Sequence, residues 1–317
     1  PDQPVAGGKK LSRLANLGLA GIVADARLRD FAEVVDLGLA AWCRGETVRQ
    51  GGHEIMPWSA AGPVAVGGVT VVPGDWVLAD AFDRAAPTYD AMVALSPGYH
   101  DQLGTAAEAL VGALPAPGTG ADPVVLDLGC GSGASTRAVL DAWTARGGST
   151  GDLDVTGVDA SEGMVAQARA KEWPAGVHLV VSDAVAHLRG LPDASVDGVL
   201  GAYLLRNVPD RQALVDEVAR VLRPGGVAVL HDYSVAGSLR ARAVWAAVCH
   251  AVIIPLAAVK GSDVPLHRYL YTSVRDFDSV DRMCGRLQSA GLVDVRHRSY
   301  PGWQDGLVHT VVGVRPS

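Results

Sequence analysis

Three glycines, Gly129, Gly131 and Gly133, recur at alternate positions directly after the apolar run Val124-Val125-Leu126-Asp127-Leu128. A backbone without side chains can wrap closely around a ligand and take up angles closed to other residues. Asp127 sits near the carboxyl end of the run, where a carboxylate can face a cation. The helix expected after Gly133 would open with free N–H groups. Together these residues suit the grip of a small, charged, nucleotide-like molecule. A dinucleotide site is one reading, although its third glycine sits further along, as in G-x-G-x-x-G. A tight strand-to-helix turn with no ligand is another. The spacing here is G-x-G-x-G, with an acidic residue two positions before the first glycine.

Two further acids end apolar segments. Leu153 to Val158 reads as a second strand and ends at Asp159, where a carboxylate can hold a ribose diol. Ala160 and Met164 follow, with Ser161 able to cap a helix toward Lys171. Leu179 to Val181 leads into Asp183 and Ala184, which can reach an adenine. Three ligand-facing signals thus fall at the carboxyl ends of three successive strands, the edge at which open α/β sheets bind ligands. The glycine turn and its acid resemble motif I of S-adenosylmethionine-dependent methyltransferases. The resemblance implies S-adenosylmethionine as cofactor, with Asp127 and the glycines at its methionine end, Asp159 at the ribose, and Asp183 with Ala184 at the adenine.

More of the chain carries a narrower resemblance. Phe82 to Asp90 reads FDRAAPTYD, Leu95 to His100 reads LSPGYH, and Tyr203 to Arg211 reads YLLRNVPDR. With LRPGG at 222–226, VIIPL at 252–256 and HRYL at 267–270, these resemble ubiquinone/menaquinone-biosynthesis C-methyltransferases over about 82–317. The resemblance implies methylation of a ring carbon of a demethylmenaquinone-like quinol, with Arg206, Asn207 and Tyr89 at the catalytic centre. Arginine stays protonated, so Arg206 is expected to stabilise a developing oxyanion electrostatically. His231 and Asp232 are alternative bases, standing where the family is expected to carry a glutamate-phenylalanine pair. Methyl transfer from a sulfonium needs no metal, and no metal-ligand spacing is visible over this region. The apolar stretch Trp245 to Val259 could line a groove for an isoprenoid tail or pack in the core. A methyltransferase of another small aromatic or polyketide metabolite is an alternative, as is a non-enzymatic scaffold.

The elements that must position these residues follow from pattern and composition. Strands are expected at 124–128, 153–158, 179–181, 196–200, 227–230, 293–300 and 307–314. Helices are expected at 105–114, from Gly133 to about Arg146, from Ser161 to Lys171, and from a cap at Asp210 to Leu222, closed by Arg223 to Gly226. The expected fold class is α/β. It is a Rossmann-like class I methyltransferase with a seven-stranded, mostly parallel sheet and helices on both faces, in a domain spanning 81–317. The chain has 317 residues, 49% hydrophobic and 19% charged, with a net charge of -7. That balance allows a large core and, with no basic block, argues against nucleic acid as a partner. Four scattered cysteines suit a reducing cytoplasm. No signal peptide is visible, the first residue is proline, and a fragment is expected. The run Ala243 to Val259 contains His250 and Pro255 and falls short of the roughly 20 residues of a membrane span. A cytoplasmic location is expected, with peripheral contact at the inner membrane face if the acceptor is an isoprenoid quinol.

Residues 1–80 differ in character. Gly8, Arg29-Asp30, Glu33 and the later PVAVGGVTVVPGDWVLAD resemble the carboxyl-terminal half of the family of 4-hydroxy-4-methyl-2-oxoglutarate aldolases and regulators of ribonuclease E activity. The resemblance implies an oxo-acid contact for Arg29 and a divalent-metal contact for Asp30. The family's amino-terminal half is missing and the pattern stops at Ala81, so no working aldolase site is expected from this partial α/β segment. Arg29, Asp30 and Glu33 then read as a solvated helix start. No linker separates the two resemblances, an abruptness that suggests a fusion, a frame error or a chimeric assembly.

Overall fold

The computed structural model describes residues 98–255 and 264–317 almost throughout, together with Phe82, Ala86, Tyr89, Asp90, Val93 and six short strands in the first eighty residues. The chain divides into two compact units, Pro1–Ala79 and Asp80–Ser317. In the first, Pro4–Ala6 pairs with Arg27–Leu28 and Gly21–Ala24 with Ala40–Cys43, both parallel, while Val64–Val66 and Val69–Val71 form an antiparallel pair. Gly8, Arg29, Asp30 and Glu33 lie outside the described residues.

The second unit is built on seven strands. They are β1 (Val124–Leu128), β2 (Asp154–Asp159), β3 (Val177–Val181), β4 (Val196–Ala202), β5 (Leu222–Tyr233), β6 (Val293–Ser299) and β7 (Val308–Val314). Their order in the sheet is β6-β7-β5-β4-β1-β2-β3. Only β7 runs antiparallel to its neighbours. The helices are α1 (Tyr99–Val111), α2 (Ala134–Ala145), α3 (Glu162–Arg169), α4 (Ala184–Arg189), α5 (Arg211–Val221), α6 (Leu239–Val248), α7 (Val264–Arg275) and α8 (Val280–Ser289).

Alternation along the strands sorts the core into two layers. Val125, Leu200, Val227 and Val229 pack with Leu103 and Leu110 of α1 and Val139, Leu140 and Trp143 of α2. Leu126, Leu128, Val199, Ala228 and Leu230 pack with Leu188 of α4, Leu214 and Val218 of α5, and Met283 and Leu287 of α8. Successive residues serve opposite faces and both faces are covered, which is why the strands read as continuous apolar runs. At Gly198 an added Cβ would stand 2.8 Å from Leu110 Cδ1, so glycine there lets α1 lie directly on β4.

Three local differences from the sequence expectation have physical causes. Arg223 to Gly226 belongs to β5 rather than to a loop. Leu222 pairs with Val196, and regular pairing resumes at Gly198 with Val227, leaving a bulge around Gly225 at φ +80°. Helix α1 starts at Tyr99, behind Gly98 at φ +81°, rather than at Thr105. The apolar stretch after Trp245 is not buried all round. Ala241, Trp245 and Cys249 face the core at four-residue spacing, whereas Leu239, Ala243 and Val252 are exposed, and residues 256–263 lie outside the described set. Among the described residues no helix is long and apolar enough to cross a membrane.

Connections from β1 and from β4 leave the sheet on opposite sides, so a crevice opens at their carboxyl ends. Asp159, Tyr203 and Tyr233 end or immediately follow β2, β4 and β5 at that edge.

Candidate active site

One half of the crevice is the glycine turn. Gly129, Gly131 and Gly133 adopt φ of 72°, 54° and 90°, the left-handed region that a side chain disfavours. The N–H groups of Gly129 and Cys130 donate to the Val158 carbonyl at 2.7 and 3.1 Å, which hangs the turn on the end of β2. A Cβ at Gly133 would stand 2.6 Å from the Trp173 ring, and one at Gly131 would stand 3.1 Å from Met164 Cε. Met164, itself capped by Ser161 Oγ at 3.1 Å, therefore lies directly against the turn.

Three carboxylates border it. Asp159 accepts the Gly131 N–H at 2.8 Å through Oδ2 and the Ser161 N–H at 2.9 Å through Oδ1. Asp127 is fully buried; its Oδ2 accepts from Ser135 Oγ at 2.7 Å and Thr136 Oγ1 at 2.6 Å. Its Oδ1 is buried with no hydrogen-bond partner among the described residues. Burial raises the Asp127 carboxyl to about 6, against the two hydroxyl bonds. A buried, half-satisfied carboxylate beside open glycine backbone fits the ammonium end of S-adenosylmethionine. Asp183 is exposed and caps α4, its Oδ1 accepting the Ala186 N–H at 2.9 Å. Ala184 is buried at the first position of that helix, and Ala160 is exposed beyond β2. The structure thus gathers Asp127, the glycines, Asp159 and Met164 around one turn, with part of the Asp183 carboxylate committed to its own helix.

The other half is a pocket of about 790 Å³, measured out to its open mouth. Tyr89, Tyr99, Tyr203, Arg206 and Tyr233 line it, with Phe82, Val93, Trp245, Ile253, His267, Tyr269, Leu270 and Ser273. The Tyr99 and Tyr203 rings stack at 5.6 Å and Tyr203 on Tyr233 at 5.2 Å, and Trp245 leans on Tyr233 at 5.0 Å. Tyr203 reaches this position at φ +57°, a strained conformation for an aromatic residue. Its hydroxyl donates to Gln102 Oε1, whose amide donates to Gln304 at 2.6 Å. Tyr89 is hydrogen-bonded to Tyr99 and feels the charges of both Arg206 and Asp159, which places it between the two halves. Burial raises all four phenols, Tyr233 to about 12, so they act as donors near neutral pH rather than as bases.

Arg206 forms a buried ion pair with Asp232, and its Nε makes no hydrogen bond among the described residues. Its guanidinium also lies over the rings of Tyr203 at 5.4 Å and Tyr233 at 6.0 Å. Asp232, 1% exposed, additionally accepts the N–H groups of Arg206 and Tyr233 at 3.3 and 2.8 Å. That carboxylate is ion-paired, enclosed and absent from the pocket wall, so the geometry does not favour it as a base. His231 also lies off the wall, behind the Tyr203 ring at 5.2 Å. Its Nδ1 is 2.8 Å from Thr310 Oγ1, and burial, with His309 and Arg206, lowers it to about 3. The geometry therefore does not favour His231 for taking the acceptor's proton. Asn207 donates to the Tyr203 carbonyl at 3.0 Å and accepts from the Tyr269 hydroxyl at 2.9 Å, so it braces the pocket from outside its wall.

The residues that sequence reasoning passed over are Tyr99, Tyr203, Tyr233 and His267. Tyr203 and Tyr233 carried a signal: each is an aromatic at the end of an apolar strand, on the edge where Asp127 and Asp159 were read as ligand-facing.

A protein-family model described as the ubiE/COQ5 methyltransferase family matches residues 71–315, and one described as Aldolase/RraA matches residues 2–82. The demethylmenaquinone methyltransferase of Tropheryma whipplei (strain Twist) is 33% identical over 177 residues, 55% of this chain and 68% of that protein. The ubiquinone/menaquinone biosynthesis C-methyltransferase UbiE of Syntrophotalea carbinolica is 29% identical over 241 residues, 74% of this chain and 92% of that protein. Among solved structures, Haemonchus contortus phosphoethanolamine N-methyltransferase 2 in complex with S-adenosyl-L-methionine superposes with a TM-score of 0.52 at 17% identity, covering 78% of this chain and 62% of that one. An O-methyltransferase family protein from Burkholderia thailandensis gives 0.51 at 19% identity, covering 74% and 60%. At such identities the structures bear on the fold alone.

Proposed function

From the premise that this chain belongs to the ubiE/COQ5 methyltransferase family, we propose that it transfers a methyl group from S-adenosylmethionine to a ring carbon of a demethylmenaquinone-like quinol. The observation that carries the reading is the Arg206–Asp232 pair behind a wall of five tyrosines, next to the glycine turn. The names of the relatives above support the acceptor.

Bound S-adenosylmethionine supplies an electrophilic methyl group on a sulfonium centre. Asp127 would hold its ammonium, Asp159 its ribose, and Asp183 with Ala184 its adenine. The protein's remaining task is to make a ring carbon nucleophilic and dry. Loss of the neighbouring hydroxyl proton puts negative charge on oxygen, which delocalises onto that carbon. Arg206, held in place by Asp232, stabilises the oxyanion without reorganising. Tyr89 orients the ring between the two halves, and Asn207 holds the Tyr203 backbone and Tyr269 in register. His267 is the imidazole among the described residues of the pocket wall, and a positioned imidazole can serve as a general base. It is assigned the acceptor's proton. Replacing His267 with glutamine is expected to lower kcat by about a hundredfold; an unchanged kcat would remove it from the reaction.

Trp245, Ile253 and Leu270 give the pocket an apolar side for an isoprenoid tail, and a membrane-resident substrate of that kind would draw the enzyme to a membrane surface. A second reading, a small oxygen-rich aromatic or polyketide acceptor, is favoured by the five tyrosine hydroxyls of the wall. The test transfers isotope-labelled methyl from S-adenosylmethionine to a prenylated demethylnaphthoquinol and to tailless phenolic aromatics, and locates the label by NMR. Ring-carbon label on the prenylated quinol, with slower turnover of the tailless one, is expected. Turnover of only the tailless aromatics would favour the second reading. The Aldolase/RraA match over 2–82 supports reading residues 1–80 as a partial aldolase-like segment joined to a methyltransferase domain at 81–317.

A further inference from the structure

The described residues between 82 and 93 are all helical. Phe82, Ala86, Tyr89 and Val93 recur at the helical spacings of four, three and four. Phe82, Tyr89 and Val93 line the acceptor pocket. Asp90, beside Tyr89, makes contacts of another kind. Its Oδ1 accepts the Ser132 hydroxyl at 2.5 Å, and its Oδ2 lies 2.6 Å from Lys171 Nζ. Lys171 Nζ also donates to the Ser132 carbonyl at 2.7 Å. Three residues from distant parts of the chain thereby close a ring: Asp90 ahead of the sheet, Ser132 between Gly131 and Gly133, and Lys171 just past α3. Methyl transfer as described above uses none of them.

We infer that Asp90 is a positioning residue, clasping the helix that carries Tyr89 onto the glycine turn, so that the donor and acceptor halves of the site assemble together. The inference rests on the reading of the tyrosine-lined pocket as the acceptor site. A donor seated on Gly131 and Gly133 orders the backbone on both sides of Ser132, and so presents the clasp with its fixed partner. The closed clasp in turn covers that turn and holds Tyr89 between Asp159 and Arg206. Linkage makes the effect reciprocal: what the clasp adds to donor affinity, the donor adds to closure. Burial works to raise the Asp90 carboxyl, but Lys171, Ser132 and His100 outweigh it and hold the group below its ordinary value. The Asp90 and Lys171 side chains are 47% and 37% exposed, so added salt should loosen the clasp.

The experiment uses the full chain and follows S-adenosylmethionine release by stopped-flow fluorescence of Trp173, whose ring packs beside Gly133. Asp90→Asn is expected to release the donor about tenfold faster and to raise the acceptor KM about tenfold, leaving kcat within roughly threefold, the scale of one charge-assisted hydrogen bond. Asp90→Glu, which keeps the charge, should restore most of both. Lys171→Met should match Asp90→Asn, and the double variant should be no worse than either single one. Should Asp90→Asn fail to fold, Lys171→Met and Asp90→Glu give the same readings. Wild-type release rates and acceptor KM in these variants, or fully additive effects in the double, would overturn the clasp. Donor release is read without any acceptor. A wild-type chain that binds donor but methylates no quinol would therefore overturn the proposed acceptor while leaving the clasp to its own test.

Discussion

Replacing Arg206 with methionine will lower methyl transfer on the order of a hundredfold or more, and replacing Asp232 with alanine will destabilise the fold by roughly 3–5 kcal/mol. Both expectations come from one buried ion pair, whose side chains are 8% and 1% exposed. Taking one partner away leaves the other as an uncompensated charge in a low-dielectric wall, which costs far more than the pair contributes when intact. The informative protein is therefore the double variant Arg206→Met with Asp232→Asn. With both charges gone, its urea midpoint should return close to that of the wild type, while turnover stays at the level of the Arg206 variant. Stability and catalysis are then read separately, by denaturation and by methyl transfer with donor affinity measured alongside. Normal turnover in a folded, charge-free double variant would end the oxyanion role of Arg206.

Asp127→Asn is expected to weaken S-adenosylmethionine binding about a hundredfold while making the ligand-free protein more stable at alkaline pH. Burial holds the Asp127 carboxyl at about 6, above its ordinary value. A carboxyl raised in the folded state favours folding while it is protonated, below its ordinary value near 4, and that contribution is lost as pH rises through about 6. At pH 8 the ligand-free wild type therefore carries a buried charge costing roughly 2–3 kcal/mol, which asparagine would remove. The gain should appear at pH 8 and vanish near pH 4. Conversely, wild-type donor affinity should fall about tenfold for each unit of pH below 6, as protonation removes the partner of the ammonium. Calorimetry from pH 5 to 8 reads both. An affinity that ignores pH across this range, or an asparagine variant that binds normally, would place the ammonium elsewhere.

Much of the donor half was legible in the chain because its requirements are local. A parallel strand needs an apolar run, a turn against a ligand needs glycine, and a helix start needs a cap, all within a dozen residues. Val124 to Ser135 meets those needs in order, and Ser161 and Asp210 cap their helices as read, accepting from Met164 and Ala213. The bulge at Arg223 to Gly226 was not legible, because a helix-closing Pro-Gly-Gly and a strand bulge make the same local demand on the backbone. Only the pairing of Leu222 with Val196 separates them.

The acceptor half was harder to read. Arg206 could be singled out, but not its partner, since Asp232 reads equally well as a base at a strand end. Burial tells the two apart: the carboxylate is enclosed and paired with Arg206 rather than open to the pocket. The same holds for His231, whose position behind Tyr203 depends on how two neighbouring strands place their last residues.

By itself, then, the sequence determined the strand–turn–helix at the centre of the sheet, the acids at the strand ends, and the family to which the chain belongs. Those features depend on short-range periodicity and on backbone angles that few residues tolerate. Only the tertiary structure decided that Tyr99, Tyr203 and Tyr233 stack, that Asp232 holds Arg206, and that Asp90 reaches Ser132 and Lys171. Each of these contacts joins residues between 26 and 104 positions apart or is set by such neighbours. They exist because β5, β4 and β1 lie side by side in the sheet, an adjacency fixed by the packing of the whole domain, which no local spacing encodes.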